Sequence, residues 1–197
     1  MKLILPSIVL VGLFSAQMAN ALPGDRYVGF TVGQAWTTQD LEGQDGLPSL
    51  DTNGNEWNIS AIAGMAWNGT RGSFIGIEGE LEVGFENTDQ FSNVDFNGDN
   101  VSYAAGVYGR AGWWFWSSVL LYGKAGVKQS YIDFSDGDGG SFSSIEVGVG
   151  AEYIINENWT MRAEYAHEWA TDSDSIFDDY DLKRSKNNIS IGIMRHF

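Results

Sequence analysis

The sequence lacks cysteine and has only three prolines among its 197 residues. The absence of cysteine excludes a disulfide scaffold and thiolate chemistry. No proline-rich or serine-rich linker interrupts the chain, which favours a single domain. Beyond residue 21 no apolar run is long enough for a transmembrane helix. Basic residues are scarce as well, since 11 lysines and arginines face 26 aspartates and glutamates, and the net charge of −15 excludes nucleic acid as a partner.

The first 21 residues have the pattern of a secretory signal peptide. Lys2 precedes a short apolar run at residues 3–14, and Ala19 and Ala21 place small side chains at positions −3 and −1 of a cleavage site. The alternative of a membrane anchor is disfavoured, because the run is shorter than the roughly 20 residues that cross a bilayer. We therefore expect residues 1–21 to be removed and residues 22–197 to form one exported domain.

Glycine (25 residues) and aromatic side chains (14%) are abundant, which is typical of sheets with many turns. Eight segments alternate between apolar and polar residues, and each reaches the roughly 9–11 residues of a membrane-spanning strand. They lie at 27–37, 56–67, 74–85, 101–112, 119–131, 143–154, 159–170 and 187–197. Three connections are short, and four are long and acidic: 38–55, 86–100, 132–142 and 171–186. This plan predicts an all-β fold, an eight-stranded antiparallel up-and-down transmembrane β-barrel with both termini at the short-turn end.

The segment "IEGELEV" at 77–83 raises the question of which face of the barrel is outside. Three glutamates alternate with Ile77, Leu81 and Val83, so an extended chain places the two sets on opposite faces. A soluble barrel or sandwich hides the aliphatic face, whereas a membrane barrel shows it to lipid. Because the polar face is crowded with glycine, it fits the tight interior of a small barrel better than a wet surface.

Aromatic residues on the apolar face gather at the strand ends, as at the two interfaces between membrane and water. The long-loop end has Trp36, Trp57, Phe85, Tyr103, Tyr131 and Trp169, and the short-turn end has Trp67, Trp113, Tyr153, Trp159 and Phe197. Ordinary core aromatics would show no preference for strand ends. Both features favour a membrane barrel whose polar face points inward.

The inward face carries charges of both signs. The predicted lumen network consists of Glu78, Glu80, Glu82, Arg110, Lys124, Lys128, Glu146, Glu152, Arg162 and Glu164, with Glu56 and Glu168 on the same face. Because unpaired ions are costly in a dry interior, strand adjacency predicts three pairings: Glu78 with Arg110, Lys128 with Glu146, and Glu152 with Lys124 or Arg162. Four carboxylates then lack a cation, which predicts water or protonated carboxylates inside.

With the strands placed, the sequence resembles the small eight-stranded outer-membrane barrels, a group that includes the OmpA membrane domain, OmpX and the opacity-type porins. The resemblance is carried by "YVGFTVG" at 27–33, "LYGKAGV" at 121–127, "GVGAEYIINENWTMRAEY" at 148–165 and "NISIGIMRHF" at 188–197. It implies a Gram-negative-type outer membrane, with membrane lipid and lipopolysaccharide as surroundings. It also implies roles in envelope integrity, surface interaction or slight solute permeability, without choosing among them.

The end of the chain resembles the signal that the outer-membrane assembly machinery reads. Its residues are Ile189, Ile191, Ile193 and Phe197, an apolar last strand that can pair edge-on with another sheet. Arg195 departs from the pattern, because an aromatic residue is common at that position. His196 is interpreted as a strand-end residue.

These observations predict a non-enzymatic, monomeric barrel with a structural or surface-interaction role and at most minor porin-like permeability. Two alternatives remain open. The excess of lumenal carboxylates suits a cation-preferring channel, and His167 with Ser173 and Ser175 suits an outer-rim lipid A hydrolase. A ligand at the acidic loops and contact between the basic run at 182–186 and lipopolysaccharide phosphate are further expectations.

No cofactor or metal site is predicted. The acidic segments at 51–56, 95–100 and 136–140 have oxygen ligands that suit Ca²⁺, but their glycines do not match an EF-hand loop. Asn-Gly and Asp-Gly pairs more often form tight turns.

Overall fold

The computed structural model describes residues 25–43, 50–69, 72–87, 101–133, 139–173 and 180–197. They form eight strands: β1 (Asp25–Gly43), β2 (Leu50–Asn68), β3 (Ser73–Asn87), β4 (Val101–Trp116), β5 (Val119–Asp133), β6 (Gly139–Asn156), β7 (Trp159–Ser173) and β8 (Tyr180–His196). Each strand pairs with the next in antiparallel fashion, and β8 pairs with β1 to close the barrel. The predicted fold is confirmed. The proposed signal peptide lies outside the described residues.

The strands continue further at the long-loop end than the sequence predicts. The segment 38–55 was expected to be a loop, but β1 runs to Gly43 and β2 begins at Leu50, with pairs such as Thr38 opposite Asn53. The prediction was wrong because it followed side-chain polarity, whereas the ladder needs only backbone groups. The candidate cation loop at 51–56 is therefore part of β2, and the one at 95–100 lies outside the described residues.

The side chains of β3 show which face is outside. Ile77 and Leu81 are 49% and 42% exposed, whereas Glu78 and Glu82 are 2% and 4% exposed. The same alternation runs through the other strands, so the apolar face is the outer face and the polar face lines the lumen. Met65 lies opposite Ile77 in the ladder and so has the parity of the outer face, although it is only 8% exposed. Among the described residues, no helix is long and apolar enough to cross a membrane.

Exposed aromatic side chains form a belt at each end of the barrel. Ten of the eleven residues expected in the belts are exposed, and Trp67 is half-buried. Phe115 and Trp116 extend the belt at the short-turn end, where their rings meet edge to face at 4.8 Å. The sequence interpretation had placed both residues in a turn, so their membership of the belt was missed.

Tyrosine rings lie directly over glycines inside the barrel. A Cβ atom at Gly106 or Gly126 would overlap the ring of Tyr108, and one at Gly150 would overlap the ring of Tyr122. The inward glycines therefore make room for aromatic rings in an interior only wide enough for side chains.

Apolar side chains fill the interior near the short turns. One cluster consists of Tyr27, Ile62 and Met194, and a second consists of Phe74, Leu120 and Tyr122. Ala66 packs against both clusters. The charged part of the lumen therefore has an apolar layer at its short-turn side.

Candidate functional site

Two arginines hold the first group of lumenal charges. Arg110 lies 3.2 Å from Glu78 and 2.6 Å from Glu152, and Arg162 lies 2.8 Å and 2.7 Å from the same two carboxylates. Tyr27 donates a hydrogen bond to Glu78 at 2.7 Å and accepts one from Arg110 at 2.6 Å. Two guanidinium groups, two carboxylates and one hydroxyl thus form a closed cluster, in which each charge faces the opposite sign.

Lys124 holds a second group of lumenal charges, next to the cluster around the arginines along the barrel. Its ammonium group lies 2.6 Å from Glu164, 2.8 Å from Glu146 and 3.5 Å from Glu80. Tyr122 donates a hydrogen bond to Glu164 at 2.6 Å. A single lysine therefore neutralises part of the charge of three glutamates, which come from three different strands.

Two further lysines hold the group nearest the long-loop end. Lys128 lies 3.0 Å from Glu82 and 3.4 Å from Glu168, and Lys186 lies 3.1 Å from both Glu82 and Glu56. Lys186 was assigned to a basic patch on the outer rim, and that prediction was wrong. The strand β8 begins at Tyr180 rather than near residue 187, so Lys186 has the inward parity of a lumen residue and is buried.

The three pairings expected from strand adjacency are all contacts in the structure: Glu78 with Arg110 at 3.2 Å, Lys128 with Glu146 at 3.6 Å, and Glu152 with Arg162 at 2.7 Å. The expectation that four carboxylates lack a cation was wrong. Within the described strands, eight lumenal carboxylates share five cations, and every one of the eight contacts at least one. Acidic side chains therefore outnumber basic ones by three in this network.

A cavity of about 330 Å³ opens at the short-turn end. Asp25, Thr160 and His196 line one side of it, and Phe74 and Leu120 belong to its apolar wall. His196 was interpreted only as a strand-end residue. In the structure its ring contacts Asp25 at 3.0 Å and Thr160 at 3.1 Å, so it links the first strand to the last two.

At the outer rim, the contacts of His167 are polar and aromatic. Its Nδ1 lies 2.7 Å from Oδ1 of Asn187, and its ring meets Trp169 edge to face at 4.3 Å. The side chains of Ser173 and Ser175 lie outside the described part of the chain. Within that described part, no group of three metal-ligating side chains is present.

The residues of the expected assembly signal lie on the outer face. Ile189, Ile191, Ile193 and Phe197 are all exposed, and the backbone N–H of Phe197 donates to the carbonyl oxygen of Arg26 at 2.9 Å. The guanidinium group of Arg195 lies 5.1 Å from the ring centroid of Phe197. The signal itself stays a prediction.

Several solved structures are similar to this chain. Neisserial surface protein A is similar with a TM-score of 0.50 at 15% identity, over 85% of this chain and 97% of that one. Ail of Yersinia pestis gives 0.44 at 15% identity over 86% and 99% of the two chains, and OprG of Pseudomonas aeruginosa gives 0.45 at 11% identity over 88% and 96%. A comparison with curated proteins gave no match.

The family model described as outer membrane protein beta-barrel domain matches residues 7–197. That match covers nearly the whole sequence, and it agrees with the closed eight-stranded barrel and its apolar outer face. The chain therefore belongs to the family of outer membrane protein beta-barrel domains and resides in the outer membrane.

Proposed function

We propose that this protein is a monomeric structural or surface-interaction protein of the cell envelope, with at most minor porin-like permeability. One observation carries the proposal: the lumen is filled by shared ion pairs. The side chains of all five cations and all eight carboxylates are buried. An eight-stranded barrel has only enough interior space for its own side chains, so this arrangement supports a closed interior.

Passage of an ion would require several of these contacts to break at once. Lys124 and Lys128 each contact three carboxylates, and Glu146 is shared by both lysines. Removing one partner from a buried pair costs about 3–5 kcal/mol. The interior is therefore better suited to holding the barrel rigid than to conducting solutes.

The strands at the long-loop end support a surface-interaction role. Trp36 and Trp57 belong to the aromatic belt, and β1 continues from Trp36 to Gly43 while β2 starts at Leu50. At about 3.3 Å per residue, this hairpin extends roughly 20 Å along the strand beyond the belt. Paired strands of this length can present the acidic loops to lipopolysaccharide or to a ligand outside the cell, while the assembly machinery is the expected partner during insertion.

The alternative function is a cation channel, which the excess of lumenal carboxylates favours. A conductance measurement distinguishes a channel from a closed barrel. In planar bilayers the refolded protein is expected to show no steady single-channel conductance, because its lumenal charges are paired and buried. A steady cation-selective current that decreased in the Glu80→Gln and Glu82→Gln variants would contradict the proposal. Glu157→Gln, in the exposed turn between β6 and β7, is the control that removes one acid outside the lumenal network of ion pairs.

The outer-rim hydrolase has no comparable support. His167 contacts Asn187 and Trp169, and neither supplies a nucleophile. Because the side chains of Ser173 and Ser175 are not described, no contact in the described structure favours catalysis at this rim.

A further inference from the structure

Three side chains form a hydrogen-bonded relay at the short-turn end of the barrel. Oδ2 of Asp25 lies 3.0 Å from Nδ1 of His196, and Nε2 of the same ring lies 3.1 Å from Oγ1 of Thr160. Asp25 opens β1, Thr160 lies near the start of β7, and His196 ends β8. Both distances lie within the range of about 2.6–3.2 Å that a nucleophile and its base require.

The two contacts suit one tautomer of the neutral ring, the one with its proton on Nδ1. An ionised carboxylate only accepts hydrogen bonds, so Nδ1 of His196 carries the proton that is donated to Asp25. In the neutral ring Nε2 is then the acceptor, and the hydroxyl of Thr160 donates to it. The ring of Tyr27, with its centroid 5.6 Å from that of His196, packs beside the imidazole. This arrangement places a base directly on the hydroxyl of Thr160.

The relay faces the cavity of about 330 Å³, which has the size of a small-molecule site. Thr160 is buried, whereas the Asp25 side chain is partly exposed to water. The apolar part of the wall includes Phe74, Trp114 and Leu120. A ligand with a short hydrocarbon chain and a polar carbonyl group therefore matches both the volume and the lining.

We propose that this cavity is a hydrolytic site for small esters with a short acyl chain, a function beyond the structural role of the barrel. Thr160 is the nucleophile, His196 is the general base and acid, and Asp25 is the positioning residue that orients the imidazole. The short-turn end is the periplasmic end of an outer-membrane barrel, so the site takes substrate from the periplasm.

The reaction balances with water as the second reactant. Oγ1 of Thr160 bonds to the ester carbonyl carbon as its proton passes to Nε2 of His196. The carbon–oxygen bond to the alcohol then breaks, and the departing alcohol takes that proton. Water attacks the resulting acyl-threonine ester through the same base, which releases a carboxylic acid and restores the hydroxyl of Thr160.

The test uses refolded full-length protein, para-nitrophenyl acetate and butyrate as substrates, and a fluorophosphonate as a covalent probe. Thr160→Val preserves the shape of the side chain but removes the hydroxyl, and we expect it to lower the hydrolysis rate at least about 100-fold, as loss of acid–base catalysis does. His196→Gln is expected to lower the rate to a similar extent. Thr160→Ser is expected to keep the activity, and mass spectrometry should find the probe on Thr160 of the unmodified protein.

Thr31→Val is the matched control, because Thr31 is buried in the lumen on β1 and is not among the residues that line the cavity. Its rate is expected to equal that of the unmodified protein, and heat-dependent gel mobility verifies folding of each variant. Equal rates for the unmodified protein and Thr160→Val would overturn the proposal. Loss of activity in Thr160→Ser would also overturn it, and so would a probe adduct that never maps to Thr160. In each of these cases the three side chains would have only a structural role, linking β1 to β7 and β8.

Discussion

Replacing Glu78 by alanine is expected to lower the free energy of unfolding by about 3–5 kcal/mol, the cost of breaking a buried ion pair from one side. Glu78 contacts Arg110 and Arg162 and accepts a hydrogen bond from Tyr27. After the change, two buried guanidinium groups share the single carboxylate of Glu152. Denaturant titration of the protein in phospholipid vesicles, followed by tryptophan fluorescence, measures the loss.

Glu157→Ala is the control for this loss of charge, because Glu157 is exposed in the turn between β6 and β7. Its effect is expected to stay within about 0.5 kcal/mol, as for most surface substitutions. If the two variants lost stability equally, the cluster around the arginines would contribute nothing specific to the barrel. Glu78→Gln removes the charge at nearly constant side-chain volume, so it measures the effect of the charge alone.

Replacing Gly126 by alanine is expected to destabilise the barrel by about 1–3 kcal/mol, the usual cost of overpacking a tight interior. A Cβ atom there would overlap the backbone carbonyl oxygen of Val107 and lie 2.8 Å from Cα of Tyr108. Backbone atoms cannot rotate away as a flexible side chain can, so β4 and β5 must move apart. The same denaturant titration measures the change.

Gly109→Ala provides the matched comparison, because Gly109 lies on the outer face of the adjacent strand β4. The nearest atom to an added Cβ there is the carbonyl oxygen of Ala125 at 3.9 Å, an ordinary contact. Alanine also restricts the unfolded chain, so Gly109→Ala is expected to stabilise the protein by about 0.4–1 kcal/mol. A destabilisation as large as that of Gly126→Ala would show that the position of the glycine, inside or outside, has no effect.

The architecture could be predicted from the sequence because each strand separates polar from apolar residues. In β3 the alternation at 77–83 identifies both faces, and the glycines opposite the tyrosine rings identify which face is crowded. Strand length could not be predicted in this way. Beyond the aromatic belt the sequence no longer alternates regularly between apolar and polar residues, while the backbone ladder continues to Gly43.

The arrangement of the charges was only partly predictable, for reasons of geometry. Adjacent strands suggested Glu78 with Arg110, but Lys124 of β5 also contacts Glu80 of β3 and Glu164 of β7, each two strands away. A long lysine side chain can reach several strands. The sequence predicts the order of the strands but not the stagger between them, which decides which residues lie at the same depth in the barrel. The exact partners therefore need coordinates.

The relay at the short-turn end was not visible in the sequence at all. Asp25 and His196 are separated by 171 positions, and a lone histidine near a strand end gives no sign of a partner. Only closure of β8 against β1 brings the two residues together. The even number of strands predicted that both ends of the barrel domain lie at the short-turn end, but it did not predict which side chains meet there.

The central claim is that apolar side chains point outward into lipid and polar side chains point into the lumen. It is tested most directly by NMR in bilayers that contain lipid with a nitroxide on its acyl chain, because the nitroxide broadens the signals of methyl groups near it. On β2, Ile59 is 48% exposed and Ile62 is 5% exposed, so one strand supplies both the probe and its control. The structure predicts that the signals of Ile59 and Ile77 broaden while that of Ile62 stays sharp. Broadening of Ile62 with sharp signals for Ile59 and Ile77 would contradict an outer face in contact with lipid.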